Sequence, residues 1–297
     1  MFQELAKTYC TTFVPFHPAA PAADRTAWEH LEPSILSLLL KDGERCLEEP
    51  WPTLTATDYL DFTRTGRRSL FEGKLFARRT LLNSMLLAEC AEHQGLFLDS
   101  VLNGIWSICE ETSWCLPAHN SYIRDTPQLP LPDARRPVID LFAAETAAIL
   151  STARYLLKQE LDAVSPAVSV LLDKALSERI FVPYLNEHFW WMGDGKSHMN
   201  NWTVWCTQNI LLTAALSDIS EEVRRAVFLK ACESLDYFLA EYGEDGCCDE
   251  GAQYFHHAGL CLFGCMEILN AITDGHFHAL YEEPKIKNIA SYIVQVH

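Results

Sequence analysis

Apolar residues recur at helical spacing through most of this chain, and no stretch alternates apolar and polar residues between hairpin turns. That periodicity constrains the fold more than any other feature. It predicts helices over 27–41 (Leu31, Ile35, Leu38, Leu39), 70–93 (Leu75, Leu82, Met85, Leu86, Cys90) and 96–110 (Leu98, Val101, Leu102, Ile105, Ile108). It predicts others over 138–157, 162–185, 201–217, 220–242, 252–273 and 284–296. Ser220, followed by Glu221 and Glu222, has the chemistry of an N-cap with acids in the first turn. Residues 112–137 interrupt the pattern with Pro117, Pro127, Pro130, Pro132 and Pro137, and a structureless loop of that length is commonly functional. About ten helices joined by mostly short links specify an all-α domain. Residues 1–26, with Pro15, Pro18 and Pro21, read as an irregular lead-in, and 27–297 as one helical domain. Paired helices of this length can stack as a solenoid or close into an α/α toroid, and periodicity does not choose between them. No fixed-length repeat stands out.

Charge narrows the partners. The 297 residues carry 23 basic and 40 acidic side chains, a net charge of −17. A phosphate backbone needs a basic face, so nucleic acid is not expected. The same balance weighs against any polyanion. One segment is an exception: Arg64, Arg67, Arg68, Lys74, Arg78 and Arg79 could line an anion-binding rim or form a solvated helix face. No uninterrupted apolar run reaches the ~18–20 residues of a membrane span, so no membrane association is expected. MFQELAKTYCTTFVPF lacks the basic start, apolar core and cleavage site of a secretion signal, which points to the cytoplasm. The 11 cysteines then read as free thiols. Cys247, Cys248, Cys261, Cys265, His256 and His257 lack paired zinc-site spacing, so no metal is expected. No phosphate loop or nucleophile elbow implies a cofactor.

Polar and aromatic residues gather in three segments at predicted helix–loop junctions: Cys109–Asn120, Trp190–Trp202 and Asp249–His257. With their flanks they read FEGKLFARRTLLNSMLLAEC, NGIWSICEETSWCLPAHN, PVIDLFAAETAAIL, WWMGDGKSHMNNWTVW and EDGCCDEGAQYFHHAG. In this order and density, the text from about residue 70 onward resembles the heparinase II/III-like proteins. The resemblance implies an (α/α) toroid, usually followed by a β-sandwich that this chain does not include, and a lyase that cleaves uronic-acid-containing glycans by β-elimination. In such relatives a sandwich histidine joins the active site. Thr203 departs from the family, where Asn often follows the Asn-Asn-Trp run.

β-Elimination removes the proton beside a uronate carboxylate and expels the 4-linked oxygen. A hydrogen-bond donor on that carboxylate lowers the barrier, as donors do for an oxyanion. The resemblance points to Asn200 or Asn201 for this role, and to Tyr254 for proton transfer. His257, three residues on, is expected on the same helical face as Tyr254. His119 and Asn120 from the long loop, together with Glu250, are expected to bind substrate. Trp190, Trp191 and Trp202 offer flat faces to sugar rings. Each has a duller reading. The asparagines could cap a helix, Tyr254 could be a satisfied core tyrosine, and the histidines ordinary helix residues. The tryptophans could simply pack the centre of the domain. Asp249 and Glu250 could sit in a helix's first turn, and Glu110 and Glu111 at a helix end. Two other functions remain open: a glycoside hydrolase using Glu110, Glu111, Asp249 or Glu250, and a non-catalytic glycan-binding domain.

Overall fold

The structure is a computed structural model that describes residues 1–296. Among these residues there is no strand, and the helices are α1 Phe2–Thr8, α2 Arg25–Glu29, α3 Pro33–Leu47, α4 Ala56–Thr65, α5 Ser69–Glu92, α6 Leu98–Cys109, α7 Leu141–Leu156, α8 Lys158–Val164, α9 Ala167–Leu176, α10 Val182–Asn186, α11 Asn201–Leu216, α12 Glu221–Glu241, α13 Gly259–Ile272 and α14 Pro284–Gln295. The all-α expectation holds.

Four helices, α5, α7, α11 and α13, lie side by side in one row and run parallel. Near their starts, Phe76 meets Phe142 with ring centroids 4.8 Å apart, and Arg79 Nε donates to Thr146 Oγ1 at 3.1 Å. Trp205 Nε1 donates to Glu145 Oε1 at 2.7 Å, and Cys265 Sγ lies 3.7 Å from the Val204 carbonyl. At the far ends, His93 pairs with Glu160 at 2.6 Å, and Arg154 reaches Asp218 at 3.8 Å. Parallel neighbours require a return element between them. α6 returns from α5 and α12 from α11, while α3 packs antiparallel on α5, with Ser84 bonded to Asp42. Glu89 fixes the turn out of α5 by accepting the Gly95 and Phe97 N–H groups at 3.0 and 2.9 Å. Ser220 Oγ caps α12 through the Val223 N–H at 3.2 Å, as its sequence implied.

Two large cores result. One joins α3, α5, α6, α7 and α9 through residues such as Leu82, Ile105, Leu150 and Leu172. The other joins α1, α11, α12 and α13 through Phe2, Phe228, Leu262 and Phe277. Trp205 packs against both. All eleven cysteines are unpaired. Ala252–Ile272 is long and apolar enough to cross a membrane by composition, yet half of its most apolar window is buried within the protein.

Three expectations about local structure need correction. Residues 1–26 are not irregular throughout. Phe2–Thr8 is helical because Asp236 accepts the backbone N–H groups of Phe2 and Gln3, at 2.8 and 2.9 Å, and so caps α1. The helix expected from 252 begins only at Gly259, after a 3₁₀ turn over Ala252–Tyr254 and further turns. The basic cluster is largely committed. Arg79 is buried and binds both oxygens of Glu111 at 2.6 Å, while Arg78 reaches Glu111 at 3.0 Å. Lys74 pairs with Asp58 at 2.7 Å.

Close packing makes one glycine indispensable. A Cβ on Gly104, in α6, would stand 2.5 Å from the Trp51 ring. Gly104→Ala gains about 0.5–1 kcal/mol in helix propensity. Overpacking costs about 1–3 kcal/mol. A lower denaturant midpoint at unchanged m-value is the expected result.

Candidate functional site

The parallel row brings the N-terminal ends of α5, α7, α11 and α13 to one end of the domain, and a strip of rings runs across it. Trp190 meets Trp202 at 5.0 Å between centroids. Trp202 meets the edge of His119 at 4.7 Å, and His119 stacks on Phe142 at 6.0 Å. Phe142 meets Trp205 at 6.0 Å, and Trp205 stacks on His257 at 3.9 Å with planes only 6° apart. His256 closes the strip, 3.8 Å from His257. The rings between Trp190 and His257 are partly exposed, and His256 is fully on the surface.

Each ring is placed by a helix start. Trp202 and Trp205 stand one turn apart on α11, so they share a face. Asp140 is the N-cap of α7 and is fully buried; it accepts the Ala143 N–H at 2.7 Å and the Leu116 N–H at 3.2 Å. The same carboxylate binds His119 Nδ1 at 2.8 Å. A carboxylate accepts, so the His119 ring donates to it from Nδ1 and presents Nε2 on its other side. Arg68 Nη2 stands 3.4 Å from that Nε2. Asp140→Ala removes the cap and orphans a buried N–H, a loss of roughly 2–4 kcal/mol. Asp140→Asn keeps the acceptor for the Ala143 cap but turns an NH₂ toward the Leu116 N–H and the His119 ring, so it should recover only part of that loss in chemical denaturation.

Two arginines stand on the Trp190 side of the strip. Arg68, paired with Glu72 at 2.7 Å, lies beside His119, and the Arg124 guanidinium covers the Trp190 ring at 4.7 Å while donating to the His198 carbonyl at 3.0 Å. Inside it, burial pushes the Glu145 carboxyl above its ordinary value despite the Trp205 hydrogen bond. Burial, and then the neighbouring His256, lower the His257 pKa, which keeps its ring neutral near pH 7. His257 Nδ1 is buried and has no partner.

The expected site residues divide sharply. Trp190, Trp202, His119 and His257 come together. Trp191 does not: it is 0% exposed, lies between Tyr184 and Phe189, and donates Nε1 to the Ile139 carbonyl at 2.8 Å. It is core, not a sugar platform. Asn120 is also buried; its Nδ2 donates to the Leu129 carbonyl at 3.1 Å and pins the 112–137 loop, so it lies apart from the ring strip. Glu250 accepts the Asn201 N–H at 2.7 Å and secures the start of α11 instead of reaching outward. Asn200 is the N-cap of α11, with Oδ1 accepting the Trp202 N–H at 3.1 Å. That bond settles the amide orientation, and the NH₂ group has no protein partner among the described residues. Asn201 is buried.

Tyr254 is not a core tyrosine. Its side chain is 48% exposed, and its hydroxyl has no partner among the described residues. It sits in the 3₁₀ turn before α13, so it does not share an α-helical face with His257. Nor does it line the ~30 Å³ pocket that holds Asn200 and Glu250. Glu111, one of the carboxylates available to a hydrolase, is locked between Arg78 and Arg79. Among the described residues no group of three His, Cys, Asp or Glu side chains is arranged to hold a metal ion. Sequence reasoning missed Arg68 as a partner of His119, and also Asp140, Glu145 and Trp205. The Trp-x-x-Trp spacing was the available signal for Trp205. No protein-family model and no curated protein matches the chain.

Proposed function

We propose that this protein is a polysaccharide lyase of the heparinase II/III-like kind, acting on uronic-acid-containing glycans by β-elimination, with its helical hairpins arranged as an (α/α) toroid. The strip of partly exposed rings carrying His119 and His257, with Arg68 and Arg124 beside its Trp190 side, carries this reading. Sugar rings lay their C–H faces on aromatic planes, and Trp190 and Trp202 offer such planes. An acidic glycan also needs local positive charge, because the molecule as a whole is at −17. Arg68 and Arg124 supply it where the rings are.

The chemistry divides among three side chains. The Asn200 NH₂, turned outward by the cap bond, is a donor for the sugar carboxylate as charge builds on it. His119, held by Asp140 and presenting Nε2 on its other side, is a proton acceptor. Tyr254, with a free hydroxyl, is the donor to the departing 4-oxygen. Two bonds of the sugar break and one forms: the C5 proton goes to His119, the C5–H electrons become the C4–C5 double bond, and the C4–O bond breaks with its electron pair on the oxygen, which takes a proton from Tyr254.

The test is direct. The protein is incubated with alginate, heparosan, hyaluronan and polygalacturonate, and the ultraviolet band of the unsaturated uronate is followed. A rising band on at least one polymer is expected. New reducing ends without the band would replace the lyase by a hydrolase, and binding without turnover would leave a glycan-binding domain.

A further inference from the structure

We propose a second ligand site, separate from the ring strip: the cavity beneath the 112–137 loop, built around Arg179, binds one small oxyanion, a sulfate, phosphate or carboxylate group. Arg179 sits in the single π-helical turn, Ser177–Phe181, between α9 and α10. Such turns are rare and frequently mark functional sites. The guanidinium lies over the Trp114 ring at 4.8 Å and donates Nη2 to the Cys109 carbonyl at 2.9 Å. Its Nη1 is buried and has no acceptor. A buried donor left unpaired costs about 1–3 kcal/mol, more when charged, so the position calls for a partner.

Charge points to an anion. Arg78 and Arg79 bind Glu111, and Arg179 lies within electrostatic reach of both Glu111 and Arg79. Two guanidiniums therefore hold the buried Glu111 carboxylate, and the Arg179 charge is added nearby. Burial also opposes the Arg179 charge, and a bound anion would offset that cost. The cavity holds about 150 Å³, and its polar lining comprises Arg179, Arg136, Thr112, Ser113 and Asn120 together with the acids Asp133 and Glu178. At roughly 30 Å³ per water, that is room for one tetrahedral group with a few waters. Drug-sized ligands need about 300 Å³ or more. Ser113 Oγ accepts the Cys115 N–H at 3.0 Å, which leaves its hydroxyl hydrogen free to donate. The Arg136 guanidinium stacks over Tyr122 at 3.7 Å and pairs with Glu187 at 2.9 Å. Of the two lining acids, Asp133 is answered by Arg135 at 2.9 Å, and Glu178 is exposed.

Thermal unfolding with about millimolar sodium sulfate, phosphate or chloride at matched ionic strength, a level at which the general stabilisation by excluded sulfate and phosphate is negligible, tests this without any assay of activity. Its outcome is therefore independent of the lyase reading. Sulfate or phosphate should raise Tm by about 2–5 °C beyond chloride. Arg179→Met should abolish that difference, and Glu178→Gln should preserve or enlarge it. Equal shifts from all three salts, or a sulfate effect that survives Arg179→Met, would overturn the proposal. If Arg179→Met does not fold, Ser113→Ala takes its place in calorimetric titration with sulfate: a loss of about fivefold or more in affinity supports the site, and unchanged affinity rejects it. Titration with a sulfated monosaccharide beside inorganic sulfate then assigns the anion to a sugar or to the free ion by the tighter of the two.

Discussion

Tyr254→Phe should lower kcat on the responsive glycan by about 10²- to 10⁴-fold, the range that one positioned acid or base contributes, while Tm stays unchanged. The two halves of this expectation have separate grounds. The phenol is half exposed and its hydroxyl has no partner among the described residues, so deleting the oxygen removes no interaction seen there. Surface changes of that kind fall within about 0.5 kcal/mol. If the hydroxyl delivers the proton to the leaving oxygen, its loss falls on the chemical step, so kcat should drop and KM should move little. A variant as active as the parent would remove Tyr254 from the mechanism. A variant that melts early would show that its role is structural.

The opposite pattern is expected at Arg79. Arg79→Ala should cost about 3–5 kcal/mol, because it strands a buried carboxylate that loses its bidentate partner. Glu111 is almost wholly enclosed, and Arg78, which also donates to the carbonyls of Pro52 and Ser107, cannot replace two 2.6 Å bonds. Arg79 also holds Thr146 on α7, so the loss loosens the α5–α7 contact beneath the ring strip. Chemical denaturation of Arg79→Ala, of Glu111→Gln and of the double variant would show the coupling: the double variant should be markedly more stable than the sum of the two singles implies. Additive losses would mean that the two side chains act independently.

Much of the fold was legible in the sequence, because a helix that buries one face must repeat its apolar residues at 3.6-residue spacing. The cores of α5, α6, α7 and α12 sit where that spacing put them. Ser220 and Asn200 were legible as caps for a local reason, since a cap is decided by its own backbone neighbours. What could not be read depended on partners distant in sequence. Trp190 and Trp191 are adjacent and chemically identical, yet the 3₁₀ turn sends one to the strip and the other into the core. α1 forms because Asp236, more than two hundred residues away, accepts its first N–H groups. The start of α13 was misplaced because the segment before Gly259 carries no Pro or Gly past Gly251 to mark the turns that its own backbone hydrogen bonds close. Asp140 has no visible role until the fold brings Leu116, His119 and Ala143 to one carboxylate.

Trp205 rests on both hydrophobic interiors at once, and its indole is the hinge-pin between them. His119 belongs to the half built on α5 and α7, while His257 belongs to the half built on α12 and α13, and only this one side chain of α11 touches the rings of both Phe142 and His257. Partial melting of the C-terminal half alone would therefore erase the strip while leaving the N-terminal half folded. Inactivation on warming should then precede the loss of helical signal, and amide exchange should quicken in α13 before it does in α5.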